Sequence, residues 1–211
     1  MQFLQLPCDG RRVTAGLREQ KKDATRRALH AAALQLVADR GLDGVTVDDI
    51  AAQADVSPRT FFNYFPTKDD AVVGLDPRHS GRLADAVRDR PREETPVQAV
   101  RAALLDQARE MAGDRQVWPL RLQVVEAHPV LAARLSAVFG EAERALTAVL
   151  AQRSGTRAAS DALPGLLAAV QGAVMRSALH RWLASGFTAD LPALVDEGFD
   201  LVTAGFSTTS V

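Results

Sequence analysis

Residues 46–68 read TVDDIAAQADVSPRTFFNYFPTK and carry the signals for two short helices joined by a turn, Ala54–Ser57. Thr46 stands before the first helix as an N-cap, with Asp49 three residues on in a capping-box-like position. Ile50, Ala51 and Ala54 give that helix a buried face. Ser57 is an N-cap candidate, followed by Pro58 at the first helical position, where the missing N–H of proline costs nothing. The second helix runs through Phe65 and ends at Pro66. In this geometry the first helix braces the second, whose N-terminal residues can lead into a DNA major groove.

Four of the chain's eleven aromatics, Phe61, Phe62, Tyr64 and Phe65, fall within five positions of that second helix. They cannot all face one core. Phe61 and Phe65 are four apart and share an inward face. Phe62 lies about 100° around and is partly exposed. Tyr64 points away from Phe62, so its hydroxyl needs water or a phosphate. Arg59 sits where a side chain reaches base edges, and arginine pairs with guanine O6 and N7. Ser57, Thr60, Tyr64 and Lys68 carry donors that phosphate oxygens accept. Thr46 offers a hydroxyl, with helix N-terminal N–H groups, to another phosphate. The plainer reading, a hydrophobic plug between helices, holds for Phe61 and Phe65.

On the N-terminal side, Leu29, Ala33, Leu36 and Val37 fall at helical intervals, and Gly41 stops that helix. On the other side Thr67 caps a further helix, Thr67–Leu75, with Asp69 and Asp70 in its first turn. The 211-residue chain has a formal net charge of −1. That sum hides an excess of +4 in residues 1–30 against −5 in the remainder. A nucleic-acid-binding arm and a solvated, fraying tail are both compatible with that excess. Acids and bases balance at eleven each over residues 1–78, so DNA binding must rest on where the charges point. Cys8 is the single cysteine and forms no internal disulfide, which fits a reducing cytoplasm. The N-terminus does not read as a secretory signal, and no unbroken run of about 18 apolar residues predicts a membrane-spanning helix.

Pro77–Pro96 is polar and proline-punctuated and reads as a helix or linker followed by a loop, hence a domain boundary. Helices are then expected near 97–112, 119–127, 130–152, 163–184 and 191–204. In the third of these Leu131, Leu135, Val138, Phe139, Ala142, Leu146 and Val149 form an apolar stripe. Residues 163–184 are apolar on more than one face, with Gly172, Ala173 and Ala178 permitting close helix approach. This helix and the next, with Leu191, Leu194, Val195, Phe199, Leu201 and Val202, either meet their symmetry copies in a four-helix interface or fill one monomer core. Trp118, Leu122, Val125, Phe139, Met175 and Trp182 are candidates to line an apolar cavity. Arg121, His128, Arg176 and His180 are polar groups on otherwise apolar helices. A buried arginine needs an anionic partner, which a ligand, Glu126 or Glu143 could supply. His128 reads as a helix-end cap.

Catalytic signals are missing. The histidines, His30, His79, His128 and His180, are far apart, and no His or Cys pair has metal-ligand spacing. There is no nucleophile elbow, P-loop or dinucleotide fingerprint. The carboxylate pairs Asp48–Asp49 and Asp69–Asp70 sit at helix starts. No cofactor or metal is expected. A helical enzyme and a helical interaction adaptor without DNA binding are the alternatives.

From about Leu17 to Leu75 the chain resembles the DNA-binding domain of the TetR family of bacterial transcriptional regulators. The segment TRRALHAAALQLVADRGLDGVTVDDIAAQADVSPRTFFNYFPTKDDAV carries the likeness, through the RG…GVTV…DIA elements, ADVSPRTFFNYFPTK and the acidic pair after Lys68. The resemblance implies an all-α fold: an N-terminal extension (1–16), a helix-turn-helix domain (17–76) and a ligand-binding and dimerisation domain (77–211). It implies a homodimeric repressor on a palindromic double-stranded DNA operator, released by a small-molecule effector. By the same resemblance Tyr64 and Lys68 clamp the DNA backbone, and Thr46, Ser57, Arg59, Thr60 and Phe62 face DNA. LREQKK…VSPRTFFNYFPTKDDAVVG is similar to a branch that includes mycofactocin-type regulators, which implies an acyl-CoA-like ligand.

Overall fold

The computed structural model describes residues 10–74, 81–113, 115, 117–156 and 160–205, with side chains from residue 21 onward. Cys8, Leu75, Pro77, His79 and the side chains of Arg11, Arg12 and Arg18 lie outside the described residues. Among the described residues the structure is all-helical, and the chain divides into two compact units, Met1–Gly74 and Leu75–Val211.

The first unit holds α1 (Gly10–Arg40), α2 (Val47–Gln53), α3 (Pro58–Tyr64) and α4 (Lys68–Val73). Gly41 ends α1 at φ +74°. Leu29, Ala33, Leu36 and Val37 of α1 are buried with Ile50 and Ala51 of α2, Phe61 and Phe65 around α3, and Ala71, Val72 and Val73 of α4. Short helices are marginal alone, and here side chains fix each start. Thr46 and Asp49 close a full capping box, Ser57 accepts from the Thr60 N–H, and Thr67 accepts from the Asp70 N–H. α4 ends earlier than its apolar pattern predicts, because Gly74 turns left-handed at φ +71°. A Cβ there would stand 2.5 Å from the His30 ring, so glycine is required by shape as well as by backbone. His30 Nδ1 lies 2.8 Å from the Ala71 carbonyl and ties α1 to α4.

The second unit holds α5 (Arg82–Asp89), α6 (Pro96–Gly113), α7 (Trp118–Ala127), α8 (Pro129–Ser154), α9 (Ala162–Ala184) and α10 (Leu191–Thr203). Its core joins Val87, Val100, Leu104, Leu146, Leu150, Trp182 and Phe199. Arg153 donates to the carbonyls of Val87, Arg90, Pro91 and Glu94, fastening α8 to the α5–α6 connection. Arg101 joins α6 to α10 through Asp196 (2.6 Å) and Asp200 (2.7 Å).

One expectation needs correction here, and two are refined. Phe139 leaves the α8 stripe and is 50% exposed. Val138, one position earlier and 100° around, takes the inward place. Part of the surface expected at a symmetry interface is spent on the unit's own core, since Val174, Ala178, Leu191, Val195 and Phe199 are buried. Gly198 of α10 approaches α9 so closely that a Cβ would meet Val174 at 2.8 Å. Finally, α9 is long and apolar enough by composition to cross a membrane, with a mean hydropathy of 1.3. An unbroken-run criterion misses it because Gln171, Arg176, Ser177 and His180 interrupt the run. Leu167, Ala168, Val174, Ala178 and Trp182 of α9 are packed in the unit's core.

Candidate nucleic-acid interface and sensor site

α3 presents two opposite faces. Phe61 and Phe65 are fully buried and lean on each other with centroids 6.0 Å apart. Arg26 of α1 covers the Phe65 ring at 5.3 Å. Directly opposite, Arg59 and Asn63 are exposed one helical turn apart. Arg59 makes no hydrogen bond or ion pair among the described residues. Phe62 flanks that face at 52% exposure, its ring edge-on to Phe61. Thr60 and Tyr64, both half-buried, flank the other side. Asn63 escapes a reading based on donors for phosphate, although its spacing four residues from Arg59 points to it.

The other candidates are placed differently. The Ser57 hydroxyl lies 2.9 Å from that of Thr60 and caps α3. The Thr46 hydroxyl is turned to the Asp49 carboxylate at 2.5 Å, and Arg40 stands 3.8 Å from the same carboxylate. Lys68 Nζ donates to the carbonyls of Leu42 (2.6 Å) and Val45 (2.9 Å). Two of its three N–H groups therefore pin the α1–α2 loop. The Thr46 hydroxyl and N–H hold the Asp49 carboxyl below its ordinary range.

In the second unit the structure gathers part of the predicted cavity lining. The Trp118 ring lies edge-on to Trp182 at 5.9 Å, and Trp182 edge-on to Phe187 at 5.0 Å. Met175 packs against the same core. Leu122 and Val125 are half-buried on α7, while Phe139 stands apart in solvent. Phe187 gave no periodic signal because it follows α9 in a turn, with φ +64°. The Arg121 guanidinium lies 4.6 Å from the Trp118 ring centroid. Glu126 and Glu143, named as alternative partners, are both exposed and form no ion pair with it. Arg176 and His180 are exposed, so neither demands a buried anion. The His128 ring lies 2.8 Å from the Val124 carbonyl and caps α7.

On the outside of α9, Leu166 (62% exposed) and Ala173 share a face, with Leu163 (45%) and Leu183 (38%) on its two flanks. Residues 94–207 match the family described as the MftR C-terminal domain, and residues 29–72 match the bacterial regulatory proteins of the tetR family. The chain belongs to the TetR family of transcriptional regulators. It is similar to the HTH-type transcriptional regulator TcmR of Streptomyces glaucescens, with 32% identity over 185 residues, 85% of this chain and 81% of that one. It is also similar to MftR of Mycobacterium tuberculosis, whose name assigns it to regulation of mycofactocin biosynthesis, at 26% identity over 186 residues, 88% and 93% of the two chains. Among solved structures, FadR of Bacillus subtilis in complex with stearoyl-CoA shares the TetR fold at a TM-score of 0.52. That pair is 18% identical and covers 85% of this chain and 98% of the other.

Proposed function

We propose that this TetR-family regulator is a homodimeric repressor, released from a pseudo-palindromic operator by a small apolar or acyl-CoA-like effector. The observation that carries the reading is the outer face of α3, where Arg59 and Asn63 project from a helix braced by buried Phe61 and Phe65. Arginine reads guanine and asparagine reads adenine through paired hydrogen bonds in the major groove. Ser57, Thr60, Phe62 and Tyr64 border this face, with phosphate contacts from the hydroxyls and apolar contact from Phe62. Lys68 holds the α1–α2 loop and turns its remaining N–H to a phosphate, and the N-terminus of α2 beside Thr46 takes another. The exposed apolar face of α9 supports dimerisation. α4, the last helix of the first unit, couples the two domains, 17–76 and 77–211.

The effector binds the conformation whose recognition helices are mis-spaced for DNA and draws the population away from the operator. Trp118, Arg121, Leu122, Val125 and Met175 belong to the sensor site in this reading. The MftR-type C-terminal match and the fold shared with a protein solved with stearoyl-CoA set the choice of probes. The test is a gel shift of the DNA flanking the gene, titrated with acyl-CoA thioesters and with unrelated apolar compounds. Retardation at low salt, reversed by one of these classes, is the expected result. Absence of retardation at low salt, where phosphate contacts are strongest, would overturn DNA binding.

A further inference from the structure

We propose that Arg121 is the anion-binding group of the sensor site, and that its effector is an amphiphile with a carboxylate or phosphate on an apolar body. This deepens the ligand-responsive reading above and rests on it. The second unit gives its other half-buried arginines partners, while its unpartnered Arg92, Arg115, Arg144 and Arg176 are exposed. Arg153 has four carbonyls, Arg101 two carboxylates and Arg90 the Glu94 carboxylate. Arg121 departs from that pattern. Among the described residues it has neither an ion pair nor a hydrogen bond, and its one partner is the face of Trp118 at 4.6 Å.

The surroundings make the exception costly. Trp118 backs onto Trp182, and Trp182 onto Phe187, so the guanidinium lies against a continuous aromatic wall. Burial holds its pKa down at about 10, and the group is still a cation at neutral pH. A ring face returns part of the lost hydration, and among the described residues none of the five N–H donors has a protein acceptor. A buried charge is stabilised when an opposite charge with matching geometry reaches it. The planar guanidinium matches the paired oxygens of a carboxylate or a phosphate equally well. Trp118 and Phe187, the half-buried ends of that wall, supply apolar surface for the rest of such a molecule.

The chain's two tryptophans, Trp118 and Trp182, both belong to this cluster, so intrinsic fluorescence reports binding directly. Full-length protein is titrated with dodecanoate, dodecanoyl-CoA and the neutral methyl dodecanoate, and operator release is followed in parallel. Dodecanoate against dodecanoyl-CoA separates a carboxylate from the phosphates of the thioester. Wild type is expected to bind at least one anion and to prefer it over the ester. Arg121→Met should weaken that anion by about tenfold or more and leave the ester little changed, with Arg121→Lys in between.

Equal weakening of all three compounds, or of none, would overturn the proposal. So would a ligand-free Arg121→Met variant that melts several degrees lower, since the guanidinium would then be holding the fold through Trp118. An equal or higher Tm is expected. Operator release by a neutral compound, unaffected by Arg121→Met, removes the anion anchor but leaves the ligand-responsive regulator standing. No change in fluorescence with any of the three in wild type overturns the amphiphile assignment, and the gel shift alone still tests DNA binding.

Discussion

Helices α3 and α9 each carry a face that their own unit leaves uncovered, and the two faces are chemical opposites. α3 turns Arg59 and Asn63 outward over a sealed aromatic pair. α9 turns Leu166 and Ala173 outward over a sealed core, with Leu163 and Leu183 on its two flanks. Exposed donors are stable in water and lose nothing by waiting for a polyanion. Exposed leucines are held in water against the hydrophobic effect, and in the proposed dimer a second copy of the same face would relieve this. The sharpest way to break the comparison is Leu166→Glu. Two-fold symmetry removes two leucines at once, at about 1.5–3 kcal/mol each, and sets two carboxylates near each other. Sedimentation at micromolar concentration should show a monomer, with operator affinity falling alongside. A variant that stays dimeric would place the interface elsewhere.

The inner side of α3 offers the next largest effect. Phe61 is fully buried and touches both Phe62 and Phe65. Phe61→Ala should cost about 3–5 kcal/mol, read by chemical denaturation. A loss under about 1 kcal/mol would mean that the aromatic pair is not the brace of the outer face.

What was legible in the sequence follows the range of the interactions. The first unit is assembled from local signals: Thr46 with Asp49, Ser57 with Thr60, Thr67 with Asp70, and the glycine at 41. Each sits within a few residues of what it controls, so its spacing can be read directly. The Lys68 ammonium could not be read this way, because Leu42 and Val45 lie 26 and 23 residues upstream. A lysine at the start of α4 suits phosphate contact and loop pinning alike. In the second unit the helices were legible from apolar periodicity, and the faces were not. Periodicity assigned Phe139 to the stripe and could not choose between it and Val138. The Trp118–Trp182–Phe187 wall joins residues from α7, α9 and a turn that no repeat marks. That Arg121 has neither Glu126 nor Glu143 beside it is a fact of packing alone.

Two substitutions sharpen the polar side of the comparison. Arg59→Ala should cost about 1–3 kcal/mol on the preferred operator and relax discrimination at one base pair. Unchanged discrimination would leave base reading to Asn63. Lys68→Ala should weaken all sequences alike and lower the salt slope by about one, and it should also destabilise the first unit by freeing two loop carbonyls. Lost stability with an unaltered slope would leave Lys68 only the work of holding the loop.

The smallest effect concerns acid. Asp49 in the first unit and Asp196 in the second both have carboxyls held below the ordinary 3.8, for different reasons. At Asp49 the chief causes are the hydroxyl and N–H of Thr46. At Asp196 they are the hydrogen bond from Arg101 and its charge. A depressed folded pKa stabilises the native state above the unfolded value, and that stabilisation is lost as pH falls through the folded value. Both units should therefore weaken below about pH 4. Hydrogen bonds within a capping box are little affected by ionic strength, whereas an exposed ion pair is screened. Denaturation followed at falling pH should show a contribution that vanishes in Thr46→Ala and persists in high salt. It should show a second that vanishes in Arg101→Gln and shrinks in high salt. If both contributions fade equally with salt, Asp49 is held by the Arg40 charge 3.8 Å away more than by the α2 cap.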